Sequence, residues 1–359
     1  MRFFKKVVTV EKIIEENDNY QVITTLETSS PAYVFKKFSG RATPGEKVIL
    51  NFTATKLKLG TGGYDFVVGI LRDEQEPFED EILSHLIKLN YTPYQFSTTV
   101  VEETEAYHQA VIQFDKHKMI KSAVAVLTIH SHLLPFLLGL KKEFHNVRSV
   151  VVLDDSTCLP AFLSSLLNYI FNQDLVFASI TTGHAFGGTY EALNIPSALI
   201  FASFSLEADV IVCAPGFGLK GTGSKFGHTA VRSCEALFYA ESLGATPYLV
   251  PRISFAEKRE RHHGLSHHTV EIMQIKKDGF KFLLPQLNYP DLDAIFEKLP
   301  PFNGQILSFP FATEDAIQDL SKHREKLVSM GRSLNDDPYF FVVPYACGCY
   351  LGRLLNEAF

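Results

Sequence analysis

Five stretches in the middle of this chain are almost continuously apolar and rich in β-branched residues. They are SAVAVLTIH (122–130), VRSVVVLDD (147–155), LVFASITTGH (175–184), ADVIVCAPG (208–216) and TPYLVPRIS (246–254). Runs of this kind mark strands buried on both faces, which occur in parallel sheets covered by helices. Helical stretches lie between them, including LPAFLSSLLNYIF, IPSALIFASF and HTAVRSCEALFYAESLG, the last closed by Gly244 in a C-cap position. The sequence therefore predicts an α/β fold with a doubly wound, mostly parallel sheet.

Residues 1–72 have another rhythm. Short alternating runs such as VVTVEKII, QVITTLE and EKVILNFTA are separated by turn formers at Asn17-Asp18-Asn19 and Pro44-Gly45. This pattern predicts a small β-barrel or antiparallel β domain, with the acidic stretch Asp73 to Glu81 as the linker out of it. The α/β domain carrying the site is expected at 82–280, and 281–359 as a segment docked on it. In that segment a helix is expected from about Glu314 to Met330, capped by Thr313 and stopped by Gly331. The final YFFVVPYACGCYLGRLL is too apolar for a free tail.

A formal charge of -6 leaves no electrostatic footprint for nucleic acid, so the expected partner is an anionic small molecule. Five cysteines, odd in number and mostly within apolar stretches, argue against a disulfide framework and for a reducing compartment. MRFFKKVVTVEK has too short an apolar run for a signal peptide, and LLPFLLGL (133–140) is too short to span a bilayer. A cytoplasmic protein without membrane contact is expected, and the chain is open to forming a homo-oligomer.

In an open α/β sheet, ligands bind outside the carboxyl ends of the strands. Here those ends carry His130, Asp154 with Asp155, His184, Gly216 and Arg252. The loop PGFGLKGTGSKFG (215–227) offers Gly216, Gly218, Lys220, Gly221, Thr222 and Gly223 for an anion, through backbone N–H groups and the lysine charge. A standard nicotinamide site is not expected, because no helix begins at the Gly216-x-Gly218-x-x-Gly221 match and no acidic residue ends the next strand. The phosphate-loop pattern fails too, since Ser224-Lys225 reverses the required order. The plainer reading of this loop is a turn that needs several glycines.

The run RISFAEKRERHHGLSHHT (252–269) packs four histidines and three arginines into one loop, with Ser266 as a helix cap. Arg259 and Arg261 could complete an anion clamp, and neutral imidazoles could hold a divalent metal. The alternative is a solvated basic loop. For proton transfer or metal binding the candidates are His184, Asp155, and either His130 or His267. Each has a structural alternative: Asp155 as a cap, His130 as a hydrogen-bonded strand-end residue. No GxSxG elbow and no CxxC pair is present, so the chain nominates no nucleophile.

With TGGYDFVVGI, TIHSHL, LDDSTCLP, GHAFGGTYEALN, PGFGLKGTG, RISFAEKRERHHGLSHHT and MGRSLNDDPYFF on the page, the chain resembles, over nearly its whole length, a bacterial family known as domain of unknown function 3866. The order of His184 in GHAFGG, Gly218 to Gly223 and Arg261 to Thr269 carries the resemblance. It implies one full-length architecture and no particular activity. The function expected from the residues is an enzyme acting on a phosphorylated or otherwise anionic small molecule, with metal assistance open. The alternative is a non-catalytic sensor that binds a nucleotide or metabolite in the same pocket.

Overall fold

The computed structural model describes residues 3–72 and 84–357. The expected linker at Asp73 to Glu81 lies outside the described residues. By contacts the chain divides into two compact units, residues 1–82 with 92–94 and residues 83–91 with 95–359.

In the first unit, strands β1 (Lys5–Glu16), β2 (Tyr20–Thr25), β3 (Ala32–Phe35), β4 (Lys47–Asn51) and β5 (Asp65–Ile70) close into a barrel in the order β1-β2-β3-β5-β4. Alternation puts Val8, Val10, Val34, Val48 and Leu50 inside. The Asn17 side chain accepts the amides of Asn19 and Tyr20, which fixes the first turn. The pairings are antiparallel except β3 with β5, which run parallel.

The second unit is built on eight strands: β6 (Ala123–Leu127), β7 (Ser149–Asp154), β8 (Ala178–Thr182), β9 (Tyr190–Ala192), β10 (Val210–Pro215), β11 (Pro247–Val250), β12 (Lys281–Gln286) and β13 (Gln305–Pro310). Their order is β9-β8-β7-β10-β6-β11-β12-β13, and every neighbouring pair is parallel. β7 and β10 are buried at every residue, as their unbroken apolar runs require. Residues 281–359 thus supply two strands of the sheet rather than a docked appendage alone.

The winding places the site. From β6 the chain steps outward through β7, β8 and β9, returns to insert β10 between β7 and β6, and then leaves through β11 in the other direction. The carboxyl ends of β10, β6 and β11 lie side by side where the direction of winding reverses, the position at which open α/β sheets hold ligands.

Helices cover both faces: α1 (Glu105–His117), α2 (Leu133–Glu143), α3 (Ser165–Asn172), α4 (Ile195–Phe204), α5 (Ser233–Ser242), α6 (His267–Ile275), α7 (Thr313–Leu320) and α8 (Pro338–Asn356). The Asn194 side chain caps α4, which is apolar on all sides and buried along most of its length. α8 lies against α2 with Gly139, Gly348 and Gly352 at the crossing.

The helix expected from Glu314 to Met330 stops at Leu320. Its N-cap is Ala312 rather than Thr313, and makes no side-chain cap. Beyond it, Val328 and Ser329 pair with Ser333 and Arg332 in a hairpin whose turn is Met330-Gly331. Both turn residues have positive φ, 52° and 75°, the signature of a two-residue turn that matches strand twist. Gly331 therefore closes a hairpin and does not cap a helix.

Candidate functional site

A cleft of about 560 Å³ opens at the ends of β10, β6 and β11. Its walls come from His130 and Ser131 after β6, from Ser164 to Leu166 at the start of α3, and from the glycine loop after β10. Arg252, Arg259, Arg261 and three histidines of the following loop and helix line it, with His228 and the hairpin tip at Met330. Lys220, Arg252, Arg259 and Arg261 are the charged residues of this lining, and it contains no carboxylate.

Arg252 is anchored by its own backbone. Its amide donates to Thr269 Oγ1 at 3.0 Å and its carbonyl accepts the Ser266 amide at 2.9 Å. Ile253 and Ser254 pair with Leu265 and Gly264, so residues 255–263 form an excursion whose two ends are tied together. Ser266 caps α6, as its position before the histidine pair suggested.

The Arg252 side chain is 2% exposed, yet it makes no ion pair with any described carboxylate. One guanidinium nitrogen donates to His268 Nδ1 at 3.2 Å and the other terminal nitrogen approaches Met330 Sδ at 3.5 Å, while Nε has no partner. The nearby carboxylates are committed elsewhere: Glu257 to Arg259 and Arg332, and Asp337 to Arg332 and Ser254. Burial pulls the Arg252 pKa down to about 10, against the attraction of Glu257, and the group remains a cation at neutral pH.

Four histidine rings cluster beside it. His228 and His268 lie with ring centres 4.0 Å apart, and His262 and His267 are 4.8 and 4.5 Å from His268. Nitrogen atoms of His228, His267 and His268 all fall within 4.8 Å of one another, close enough to chelate a metal. Glu271, one turn along α6 from His267, accepts from His267 Nδ1 and His228 Nε2, both at 3.0 Å. Those bonds leave the lone pairs on the opposite nitrogens, the arrangement in which a carboxylate orients metal-binding histidines. At His268 the hydrogen bond from Arg252 occupies the Nδ1 lone pair and puts the proton on Nε2, so in this arrangement the free lone pairs of the cluster are those of His228 and His267.

Burial is the largest cause lowering the pKa of His228 and His268, with the Arg252 charge adding to it. His262 is pushed down to about 2 by burial and then by Arg252. His228, His262 and His268 are therefore neutral around pH 7. Burial raises the Glu271 pKa, but hydrogen bonds from His267, the Phe226 amide and His228 outweigh it and keep the carboxylate ionised.

The glycine loop contributes space more than donors. Thr222, Gly227 and Lys220 spend their amides inside the loop or on Thr229, and Phe226 donates to Glu271. Gly216, Gly218, Gly221 and Gly223 line the cleft, whereas Thr222 is absent from its lining. Gly223, at φ 86°, lets the Arg261 guanidinium approach within 3.0 Å of where a Cβ would sit. Arg261 is exposed, and Arg259 is held bidentate by Glu257 at 3.0 and 2.8 Å. Of the two arginines expected to clamp an anion, only Arg261 is without a carboxylate partner among the described residues.

His184 and Asp155 stand apart from this cleft. The His184 amide donates to Asp155 Oδ2 at 3.0 Å, its Nδ1 accepts the Leu89 amide, and Arg232 reaches Asp155 Oδ1 at 3.3 Å. They follow β8 and β7, and β8 lies four strand spacings from β11, roughly 19 Å. The structure thus does not bring His184 together with His267 and His268. It does bring together His130, Gly216, Arg252, Arg261 and His267. Ser164, His228 and Glu271, which the sequence reading left out, join them.

Among the described residues no helix is long and apolar enough to cross a membrane. The fold and the cleft define a parallel α/β protein with a cationic, histidine-lined site at its strand ends. The chain belongs to the family described as "Protein of unknown function (DUF3866)", which it matches over residues 31–348. No curated protein and no solved structure matches it.

Proposed function

We propose that the protein is an enzyme that binds an anionic small molecule, phosphorylated or carboxylated, in this cleft. The observation that carries the reading is Arg252, a buried guanidinium that makes no ion pair with any described carboxylate. An unpaired buried charge is costly, and proteins ordinarily neutralise it with a partner. A ligand anion is the partner that fits, because the cleft is lined by Lys220 and Arg261 as well and its lining contains no acidic side chain. Its volume lies within the roughly 300–1,000 Å³ of small-molecule sites. Calorimetric titration with inorganic pyrophosphate at low salt is the test. One site per chain that weakens as salt rises supports the reading, and no heat of binding at millimolar pyrophosphate contradicts it. Turnover of a copurified ligand separates an enzyme from a sensor.

The histidine cluster supports a divalent ion beside the anion. Replacing Glu271 by glutamine turns one of the two oxygens that accept from His228 and His267 into a donor and removes the charge, and zinc affinity should fall about 10- to 100-fold. Protons compete with metal for imidazole nitrogens. Because burial lowers the pKa of His228, that competition begins at this ring below the ordinary imidazole value, near 6.5. Zinc should stay bound as pH falls through 6.5 and leave only in more acidic buffer. Equilibrium dialysis across pH 4.5 to 7.5 measures both effects, and unchanged zinc affinity in the Glu271→Gln protein would remove the metal from the account.

A further inference from the structure

The cleft holds one arrangement that neither anion nor metal binding uses. His130 Nδ1 lies 3.0 Å from the Pro215 carbonyl oxygen, and His130 Nε2 lies 2.7 Å from Ser164 Oγ. A carbonyl only accepts, so Nδ1 carries the proton and Nε2 presents its lone pair to the serine hydroxyl. This is the tautomer a general base needs, held by a third group as in hydroxyl nucleophiles activated by histidine. Burial pushes the His130 pKa down to about 4, which keeps the ring neutral at physiological pH.

Ser164 precedes α3, and its Oγ also accepts the Leu167 amide at 3.0 Å. A cap needs only that acceptor. It does not need a buried histidine whose far nitrogen is fixed to a strand-end carbonyl, nor a place in the wall of the cleft. Ser165 and Leu166 line the same cleft, and their amides, in the first turn of α3, have no intrahelical acceptor. Amides so placed can stabilise an oxyanion that forms beside Ser164.

We propose that Ser164 is a nucleophile, activated by His130, that takes the acyl group of a carboxylic ester whose anionic end is held by Arg252 and Arg261. This rests on the anion-binding reading above. In the first half-reaction the Ser164 Oγ bonds to the ester carbonyl carbon while the hydroxyl proton passes to His130 Nε2. The tetrahedral adduct, its oxygen facing the α3 amides, then breaks its bond to the alcohol oxygen, and the alcohol leaves with the proton from His130. In the second, water adds to the acylated serine, gives its proton to His130, and Ser164 departs as the protonated hydroxyl. The balance is ester plus water to carboxylic acid plus alcohol, with no further reactant.

The test uses the full chain, a fluorophosphonate and two chromogenic esters. The fluorophosphonate bonds to an activated serine oxygen with loss of fluoride, and peptide mass mapping is expected to find one adduct per chain, on Ser164. Mono-p-nitrophenyl succinate should be hydrolysed about a thousandfold more slowly by Ser164→Ala. His130→Gln can still donate to Pro215 but cannot take a proton, and should slow labelling of Ser164 about a hundredfold. Labelling of the unmodified protein needs no variant, so a fold weakened by the lost cap does not obscure the result. No adduct on Ser164, or succinate ester hydrolysis that Ser164→Ala leaves unchanged, overturns the nucleophile. If pyrophosphate binds while Ser164 stays unlabelled, the nucleophile falls and the anion site stands. If Ser164 is labelled but p-nitrophenyl acetate is cleaved as fast as the succinate ester, the nucleophile stands and the anionic substrate is overturned.

Discussion

Replacing Arg252 by methionine is expected to lower pyrophosphate affinity by about 3 kcal/mol, roughly a hundredfold, without destabilising the protein. The two halves of this result are linked by one fact, that Arg252 is 2% exposed and makes no ion pair with any described carboxylate. Losing a charged group that faces a buried anion typically costs a few kcal/mol of binding. An arginine kept for folding would take stability with it when removed, because its partners would be left unpaired. Here one hydrogen-bond partner is a thioether, which tolerates an apolar neighbour, and the other, His268 Nδ1, loses a single donor, a cost offset by removal of the unpaired buried charge. The ligand-free melting temperature of Arg252→Met should therefore hold or rise, while the shift produced by pyrophosphate disappears. A fall in stability with binding intact would assign Arg252 to the fold.

The second large effect concerns the crossing of α2 and α8. A Cβ added at Gly348 would overlap the backbone oxygen of Phe136, one at Gly139 would overlap that of Tyr345, and one at Gly352 would come within 2.8 Å of the Leu140 oxygen. Backbone atoms cannot rotate away as a side chain can, so the helices must separate. Because α8 carries Phe340, Phe341, Val342, Val343 and Leu351 into the main core, separation opens the body of the second unit. Gly348→Val should cost about 3 kcal/mol or more, on the order of 10 °C in melting temperature. Gly60→Ala, which meets nothing within 4 Å, should change stability by less than about 0.5 kcal/mol. Thermal unfolding of the two variants side by side checks the contrast.

The strands of the parallel sheet were readable because a strand buried on both faces has little choice but Val, Ile, Leu and Ala, as β7 and β10 show. Their lateral order was not readable. All five central strand ends carry plausible ligands, and only the insertion of β10 between β7 and β6 decides that His130, Gly216 and Arg252 converge while His184 falls outside. Ser164 looks like any serine before an apolar helix until His130 is seen 2.7 Å away, thirty-four positions apart in sequence. His228 was hidden in a similar way. It follows the glycine loop without a partner nearby in sequence, and acquires its meaning from Glu271, forty-three positions on. One signal was available: Glu271 stands four residues after His267, the spacing that places two side chains on one helix face. The Met330-Gly331 turn was misread as a helix end because a glycine after a polar helical stretch serves either purpose. A methionine at φ 52° is not predictable from composition.

The most direct test of the central claim, that the cleft is an anion site built around Arg252, is an anomalous difference map from crystals soaked in tungstate. The account predicts a tungsten peak in the cleft with oxygens within hydrogen-bonding distance of the Arg252 guanidinium and Arg261 approaching from the side of the Gly223 turn. Tungstate bound only on the outer surface, with the Arg252 guanidinium unaltered beside an empty cleft, would contradict it.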